Sequence, residues 1–290
     1  MHEREKISFT KMSGAGNDFV VIDNRSGIIK NNVEFAKTIC DRKWGIGADG
    51  VLLIEKSNNV AFTMRYFNAD GSYGGMCGNG GRCISRFAFD HHITNLSSFS
   101  FEALDHIYTA RIDENGVLLT MKDPTDIMLR QKLIFEKREI LYHYLNTGSP
   151  HCVIFLHENA HAFTSKLSDI DIDRIGRIIR NDRAFDQMEG TNVNFVYINS
   201  KTSITIRTYE RGVEAETLAC GTGSIASAVA AYLIGKTSSS CLVQTKSGEE
   251  LEVNFQNKNN KIDNVTLFGS AHVMFEGTII YNWSSNKILS

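Results

Sequence analysis

The chain repeats itself, and that repetition constrains its architecture more than any other feature. Gly16-Asn17 followed by Val20-Val21-Ile22 returns 132 residues later as Gly148-Ser149 followed by Cys152-Val153-Ile154. Gly50-Val51-Leu52-Leu53-Ile54 returns at an offset of 142 as Asn192-Val193-Asn194-Phe195-Val196. Met64-Arg65-Tyr66-Phe67-Asn68 returns at the same offset as Ile206-Arg207-Thr208-Tyr209-Glu210, and Cys77-Gly78-Asn79-Gly80 at 143 as Cys220-Gly221-Thr222-Gly223. Landmarks in one order with nearly constant spacing read as a duplicated unit. Two similar domains generally pack about a pseudo-twofold axis, and clefts between domains are preferred ligand sites. Equivalent residues, Cys77 and Cys220 among them, are therefore expected to face each other.

Each copy reads as many short strands and few helices. Strands are expected at Phe19–Asp23, Val51–Glu55, Ser98–Glu102 and Val117–Met121, the last after the hairpin signal Asn115-Gly116. Further strands are expected at Cys152–Phe155, Val193–Ile198, Ser203–Tyr209, Leu242–Thr245, Leu251–Phe255 and Val265–Phe268. Helices are expected at Val33–Asp41, Asn79–Phe89, Ile172–Arg180 and Gly223–Ile234. Pro124 opens a polar stretch that suits a domain boundary.

Composition removes several classes of function. A net charge of −2 gives no electrostatic case for nucleic acid or an anionic membrane surface. No apolar run approaches the roughly 18 residues that span a bilayer. Met1-His2-Glu3-Arg4-Glu5-Lys6 lacks the apolar core of a signal peptide. Cys40, Cys77, Cys83, Cys152, Cys220 and Cys241 show no disulfide-framework spacing, so a reducing cytoplasm is the expected location. Any one of these thiols can be a small buried hydrophobe, and Cys40, Cys83 and Cys241 are read so.

Cys-Gly-x-Gly, twice, carries the chemistry. Each follows a strand and a polar turn, and each opens a helix. The second helix is apolar nearly all round, which suits burial inside a curled sheet. Free N–H groups at a helix start form an anion site for a carboxylate. The same helix end favours a thiolate, which can act as a general base near neutral pH. Two such thiols suit proton removal from a carbon beside the carboxylate and proton return to its opposite face, with oriented amides stabilising the developing charge. Asn68 and Glu210 occupy equivalent positions ahead of each cysteine. Glu210 suits a substrate ammonium or a tuning role, and Arg211 suits a carboxylate; the plain alternative is a surface turn with a weak ion pair. His151 suits a thiol-tuning role or that of a satisfied strand-end histidine.

At these residues the sequence resembles the diaminopimelate epimerase family. The resemblance runs through Phe9-Thr10-Lys11-Met12, Gly16-Asn17-Asp18-Phe19, Gly45-Ile46-Gly47-Ala48-Asp49, Phe67-Asn68-Ala69-Asp70-Gly71-Ser72 and Met76 to Cys83. In the second half it runs through Gly148-Ser149-Pro150-His151-Cys152-Val153, Thr191-Asn192-Val193, Glu210-Arg211-Gly212 and Glu216 to Gly223. It implies interconversion of LL- and meso-diaminopimelate in lysine and cell-wall precursor synthesis, with no pyridoxal phosphate, no metal and a usual homodimer. It also implies an α+β (α/β) fold of two pseudo-symmetric domains, each a mainly antiparallel sheet around a central helix. The last strand, Phe275 to Tyr281, is expected to return to the first domain. The domains are then 1–125 with the strand from about 275–290, carrying Cys77, and 126–274, carrying Cys220.

The resemblance assigns Cys77 and Cys220 as the acid/base thiols. It assigns Asn17, Asn68, Asn192 and Arg211 as substrate ligands, and Gly78, Asn79, Gly221 and Thr222 as the carboxylate cradle. His151 and Glu210 tune the thiols, with Glu210 also near the substrate. Many members have Asn at the substrate-binding position of Ser149, and some have Gln at Gly50. The stretch from Glu210 to Thr217 is one residue longer than the commonest pattern, and a bulge is expected to absorb it.

Three rivals share features. A proline racemase-like enzyme would keep the thiols but not the distal ligands Asn68, Asn192 and Arg211. A zinc hydrolase would use His157-Glu158-Asn159-Ala160-His161, which matches H-E-x-x-H, although the segment directly follows a strand and has no obvious third ligand. A redox switch would oxidise the two thiols to a disulfide.

Overall fold

The computed structural model describes residues 4–259 and 261–289, so the expectation for Met1-His2-Glu3 lies outside the described residues. The chain forms two compact units, Met1–Leu119 with Gly269–Ser290, and Thr120–Phe268. The crossings fall several residues earlier than 125 and 274.

The first unit holds β1 (Arg4–Gly14), β2 (Asn17–Asp23), α1 (Asn32–Cys40), β3 (Gly50–Glu55), β4 (Thr63–Asn68), α2 (Gly78–Asp90), β5 (Ser98–Ala103), β6 (His106–Ile112) and β7 (Val117–Thr120). β2 and β3 are parallel, β3 and β4 antiparallel, β4 and β5 parallel, and β5–β6–β7 antiparallel. Parallel neighbours need a crossover, and α1 and α2 supply the two crossovers. Asn31 caps α1 by accepting from the Glu34 N–H. Helix α2 is buried on nearly every side, from Gly78 through Ser85 and again at Phe87 and Ala88. It is the central helix the sequence implied. β5 buries Phe99, Phe101 and Ala103 and turns Ser98, Ser100 and Glu102 outward, a half-buried alternation.

The second unit repeats this order. It holds β8 (Thr125–Phe135), β9 (Arg138–Asn146), β10 (Pro150–Phe155), α3 (Ile172–Arg180), β11 (Asn192–Ile198), β12 (Ser203–Glu210), the short β13 (Ala215–Thr217), α4 (Gly221–Leu233), β14 (Ser240–Gln244), β15 (Glu250–Lys258) and β16 (Lys261–Gly269). β10 and β11 are parallel, β11 and β12 antiparallel, β12 and β14 parallel, and β14–β15–β16 antiparallel. The registers coincide as well: Phe19 lies opposite Gly50, as His151 lies opposite Asn192. Leu52 lies opposite Tyr66, as Asn194 lies opposite Thr208. Duplication is thus visible residue by residue.

β17 (His272–Asn282) pairs along β1, and β18 (Lys287–Leu289) pairs with β17. The last long strand does return to the first unit. The polar stretch after Pro124 forms β8. Positive φ at Asp126 and Arg130, and register shifts against β9 near Met128, hide its strand pattern from a period-2 reading.

Candidate active site

Each of the two cysteines sits at the N-cap of its unit's buried helix. Cys77 (φ −118°, ψ 126°) and Cys220 (φ −125°, ψ 111°) are extended and hand the chain into α2 and α4. The first helical bonds are Gly81 N–H to the Cys77 carbonyl (2.7 Å) and Ser224 N–H to the Cys220 carbonyl (2.9 Å). The N–H groups of the intervening residues belong to the first turn, where no intrahelical carbonyl is available to them. Gly78-Asn79 and Gly221-Thr222 are the opening residues of α2 and α4. Asn79 is buried, and its Oδ1 accepts from the Nη2 of the fully buried Arg82 at 3.0 Å. Arg82 also ties α2 to the returning chain through the Ser270 carbonyl (3.1 Å).

In the first unit an ionic network sets Asn17. Asp18 accepts from Arg42 at 2.9 and 3.1 Å and pairs with the buried Lys11 at 2.7 Å. Burial alone would raise the Asp18 carboxyl, but the bonds from Arg42 and Lys11 outweigh it and bring it down to about 2. Arg42 continues to Asp49 Oδ1 (2.8 Å), and Asp49 Oδ2 accepts from Asn17 Nδ2 (2.6 Å). A carboxylate only accepts, so the Asn17 amide points its Oδ1 at the Cys77 thiol, 3.7 Å away. Asn68 donates to the Ser72 hydroxyl at 2.9 Å. Gly50 carries no side chain because a Cβ there would lie 2.5 Å from the Tyr66 ring and 2.6 Å from the Phe67 carbonyl.

In the second unit uncharged hydrogen-bonding groups lie beside the thiol. Cys220 Sγ accepts from Gly223 N–H at 3.4 Å and lies 3.5 Å from Thr222 Oγ1. Thr222 Oγ1 is 2.9 Å from His151 Nε2, and Ser149 Oγ is 3.0 Å from the same nitrogen and 3.3 Å from Thr222 Oγ1. Burial, reinforced by the charge of Arg211, lowers His151 to about 3, so its ring is neutral at pH 7. Asn192 donates to the Pro150 carbonyl (2.9 Å) and Ser149 Oγ (3.3 Å), and its Oδ1 accepts from Arg211 N–H (2.9 Å). Arg211 Nη1 donates to the Met188 and Gly190 carbonyls at 2.9 and 3.5 Å, and its Nε and Nη2 make no hydrogen bond among the described residues.

Glu210 ends β12, and the extra residue is not absorbed as a strand bulge. A hairpin turn carries it: Glu210 pairs with Ala215, and Gly212 and Glu214 take left-handed φ of 91° and 60°. Glu214 seals the turn by accepting from Gly212 N–H (3.0 Å) and Arg180 Nε (2.9 Å).

The remaining thiols are packing groups. Burial pushes Cys40 up to about 12, Cys241 to about 11 and Cys152 well upward, and Cys83 is fully buried in α2. The H-E-x-x-H segment does not form the helix that would put both histidines on one face. Leu156–Glu158 is a single 3-10 turn, Glu158 is held by His143 at 2.8 Å, and His161 Nε2 is committed to the Glu139 carbonyl. Sequence reasoning missed Asn194, Thr208 and the Arg42–Asp18–Asp49 network. Asn194 and Thr208 were detectable in the repeat itself, because they stand where the first copy has Leu52 and Tyr66.

The family profile described as Diaminopimelate epimerase matches residues 9–127 and 143–273. The chain is 41% identical to the diaminopimelate epimerase of Flavobacterium psychrophilum over 271 residues, covering 93% of this chain and 98% of that protein. It is 42% identical to that of Chlorobaculum tepidum over 274 residues, covering 92% and 99%. Among solved structures it is similar in fold to a hydroxyproline epimerase from Agrobacterium vitis, with a TM-score of 0.72, 13% identity and coverage of 96% and 93%. It is similarly close to a PhzF-family phenazine biosynthesis protein from Bacillus anthracis, with a TM-score of 0.67, 13% identity and coverage of 95% and 99%. A duplicated sheet-around-helix fold, a cysteine at the start of each central helix and this level of identity along nearly the whole chain agree: the chain belongs to the diaminopimelate epimerase family of isomerases.

Proposed function

We propose that this chain interconverts LL- and meso-diaminopimelate by proton transfer through Cys77 and Cys220, without a cofactor. The observation that carries the reading is the placement of a cysteine at the N-cap of each buried helix, beside first-turn amides. One thiolate takes the α-proton, and the other thiol returns a proton to the opposite face of the carbon. The first-turn N–H groups of Gly78-Asn79 and Gly221-Thr222 hold the reacting carboxylate and the charge that builds on it. Arg211, with Nε and Nη2 open, takes the distal carboxylate, and Asn17, Asn68 and Asn192 complete the polar lining. This distal set supports diaminopimelate over a short proline-like substrate. His151 and Glu210 tune the thiols, and Ser149 sits within the His151–Thr222 cluster. Six free cysteines support a reducing, cytoplasmic setting, and the family resemblance supports a homodimer.

The test is incubation of the reduced protein with LL-diaminopimelate in D2O, following stereochemistry and α-deuterium. Meso product carrying deuterium is expected, with loss of epimerisation in Cys77→Ala and in Cys220→Ala. Free thiols with neither isotope incorporation nor stereochemical change would refute the assignment.

A further inference from the structure

The same place in the two units is filled by opposite chemistry. Under the start of α2 lie Leu52 and Phe19, whose Cδ2 and Cζ face Gly80, and the Tyr66 ring stands edge-on to Phe19. Under the start of α4 the equivalent positions are His151, Asn194 and Thr208, and Asn194 Oδ1 faces Gly223. All three are buried. The first unit shows that this fold closes here on largely apolar side chains. Burying polar groups in their place costs stability unless each is hydrogen-bonded, so the polar set has a use other than packing.

Its bonds have one consistent direction. Asn194 Nδ2 donates to the Cys152 carbonyl at 3.2 Å, and Asn194 Oδ1 accepts from Thr208 Oγ1 at 2.9 Å. A carbonyl only accepts, so the amide orientation is fixed. The same Nδ2 lies 3.1 Å from His151 Nδ1. Nδ1 must then accept, and the neutral ring carries its proton on Nε2. Nε2 is 2.9 Å from Thr222 Oγ1, which is 3.5 Å from Cys220 Sγ. A hydroxyl that accepts from His151 keeps its own proton to donate, and the acceptors in reach are Cys220 Sγ at 3.5 Å and Ser149 Oγ at 3.3 Å.

We propose that Asn194 is a positioning residue that locks His151 as the Nε2–H tautomer, so that Thr222 accepts from the ring and donates its hydroxyl proton to Cys220. It acts through His151 and Thr222 and touches no substrate. Thr208 holds Asn194, and Ser149 flanks the same ring nitrogen. The role rests on Cys220 being a reacting thiol.

The test is long-range 1H–15N NMR of the reduced full-length protein with labelled histidine, with His151→Gln assigning the His151 signals. A single form with Nε2 protonated and Nδ1 bare is expected. An Nδ1–H form, or a mixture of tautomers, overturns the proposal. Asn194→Leu, which installs the residue the first unit uses, is expected to lose the single tautomer and lower kcat about tenfold with little change in KM. Asn194→Asp places a pure acceptor at Nδ1, draws the proton to that nitrogen and adds a His151 limb to the pH profile of kcat/KM. Wild-type tautomer and kcat in Asn194→Leu overturn the role. If that variant does not fold, the tautomer of the wild-type protein decides. α-Deuterium exchange of LL-diaminopimelate by the wild-type protein separates the two readings. An Nε2–H ring without exchange keeps the lock and dismisses the reaction, and exchange with an Nδ1–H ring does the reverse.

Discussion

His151 makes folding stability depend on pH in a calculable way. Its side chain is fully buried, and burial, then the charge of Arg211, depresses its pKa from 6.5 to about 3. The unfolded chain takes up a proton below about 6.5, whereas the native ring refuses it until near 3. Stability from this group is therefore complete above 6.5 and drains as pH falls towards 3. Each pH unit well inside that window costs about 1.4 kcal/mol, and the fall from pH 8 to pH 5 costs about 2 kcal/mol. Urea unfolding followed by circular dichroism at the two pH values measures the total, to which other groups contribute. His151→Gln isolates the share of His151, because an amide keeps a donor for Thr222 but does not titrate. Wild type is expected to lose about 2 kcal/mol more than the variant over this range. Equal losses, within about 0.5 kcal/mol, would show that the native ring titrates normally and that its neutral state is not enforced by burial.

Two further outcomes follow from the geometry. Gly223→Ala would put a Cβ 2.4 Å from Asn194 Oδ1 and 3.3 Å from Cys220 Sγ; Asn194 is pinned by Thr208 and Cys152, so a loss of about 1–3 kcal/mol is expected in thermal unfolding. Gly80→Ala meets nothing closer than the flexible Leu52 tip at 3.2 Å and should cost less, and equal costs for the two variants would contradict the pinned amide. Asp49→Asn frees the Asn17 amide to turn, and a several-fold fall in turnover is expected with stability within about 1 kcal/mol, since Arg42 keeps Asp18. Wild-type turnover in steady-state assays would dismiss Asp49 as the residue that aims Asn17.

Much of the fold was legible because its periodicity is local. α3 was delimited as observed at Ile172–Arg180, and β2, β3, β5, β10 and β11 to within one or two residues. β8 was not legible, since two left-handed residues break its alternation. The cysteine pair stood out because Cys-Gly-x-Gly recurs at equivalent positions. The settings of the two cysteines did not, because hydrogen-bond direction depends on strands far apart in sequence. Asp49 reaches Asn17 from 32 residues away, and Asn194 reaches His151 from 43. The sequence signal for the second of these was a mismatch between copies, Asn194 against Leu52 and Thr208 against Tyr66, inside a repeat otherwise read for its likeness.

That mismatch explains how a duplicated fold can serve two thiols differently. The backbone gives each copy the same start: an extended cysteine, glycines and a buried helix. The strands beneath decide what the sulfur meets. In the first unit the acceptor Asn17 Oδ1 lies near Cys77, held by charged residues on the sheet ends. In the second unit Gly223 N–H donates to Cys220, and a neutral buried chain leads from Asn194 through His151 to Thr222. Such a chain cannot arise one residue at a time without cost. Leu52→Asn alone would face Phe19, which has no polar atom, and would leave part of an amide unpaired at about 1–3 kcal/mol. Asn194 is tolerated because His151, Thr208 and the Cys152 carbonyl are all in place to meet it. The polar set is therefore a unit, and it gives the two cysteines, alike in backbone, different hydrogen-bonding surroundings.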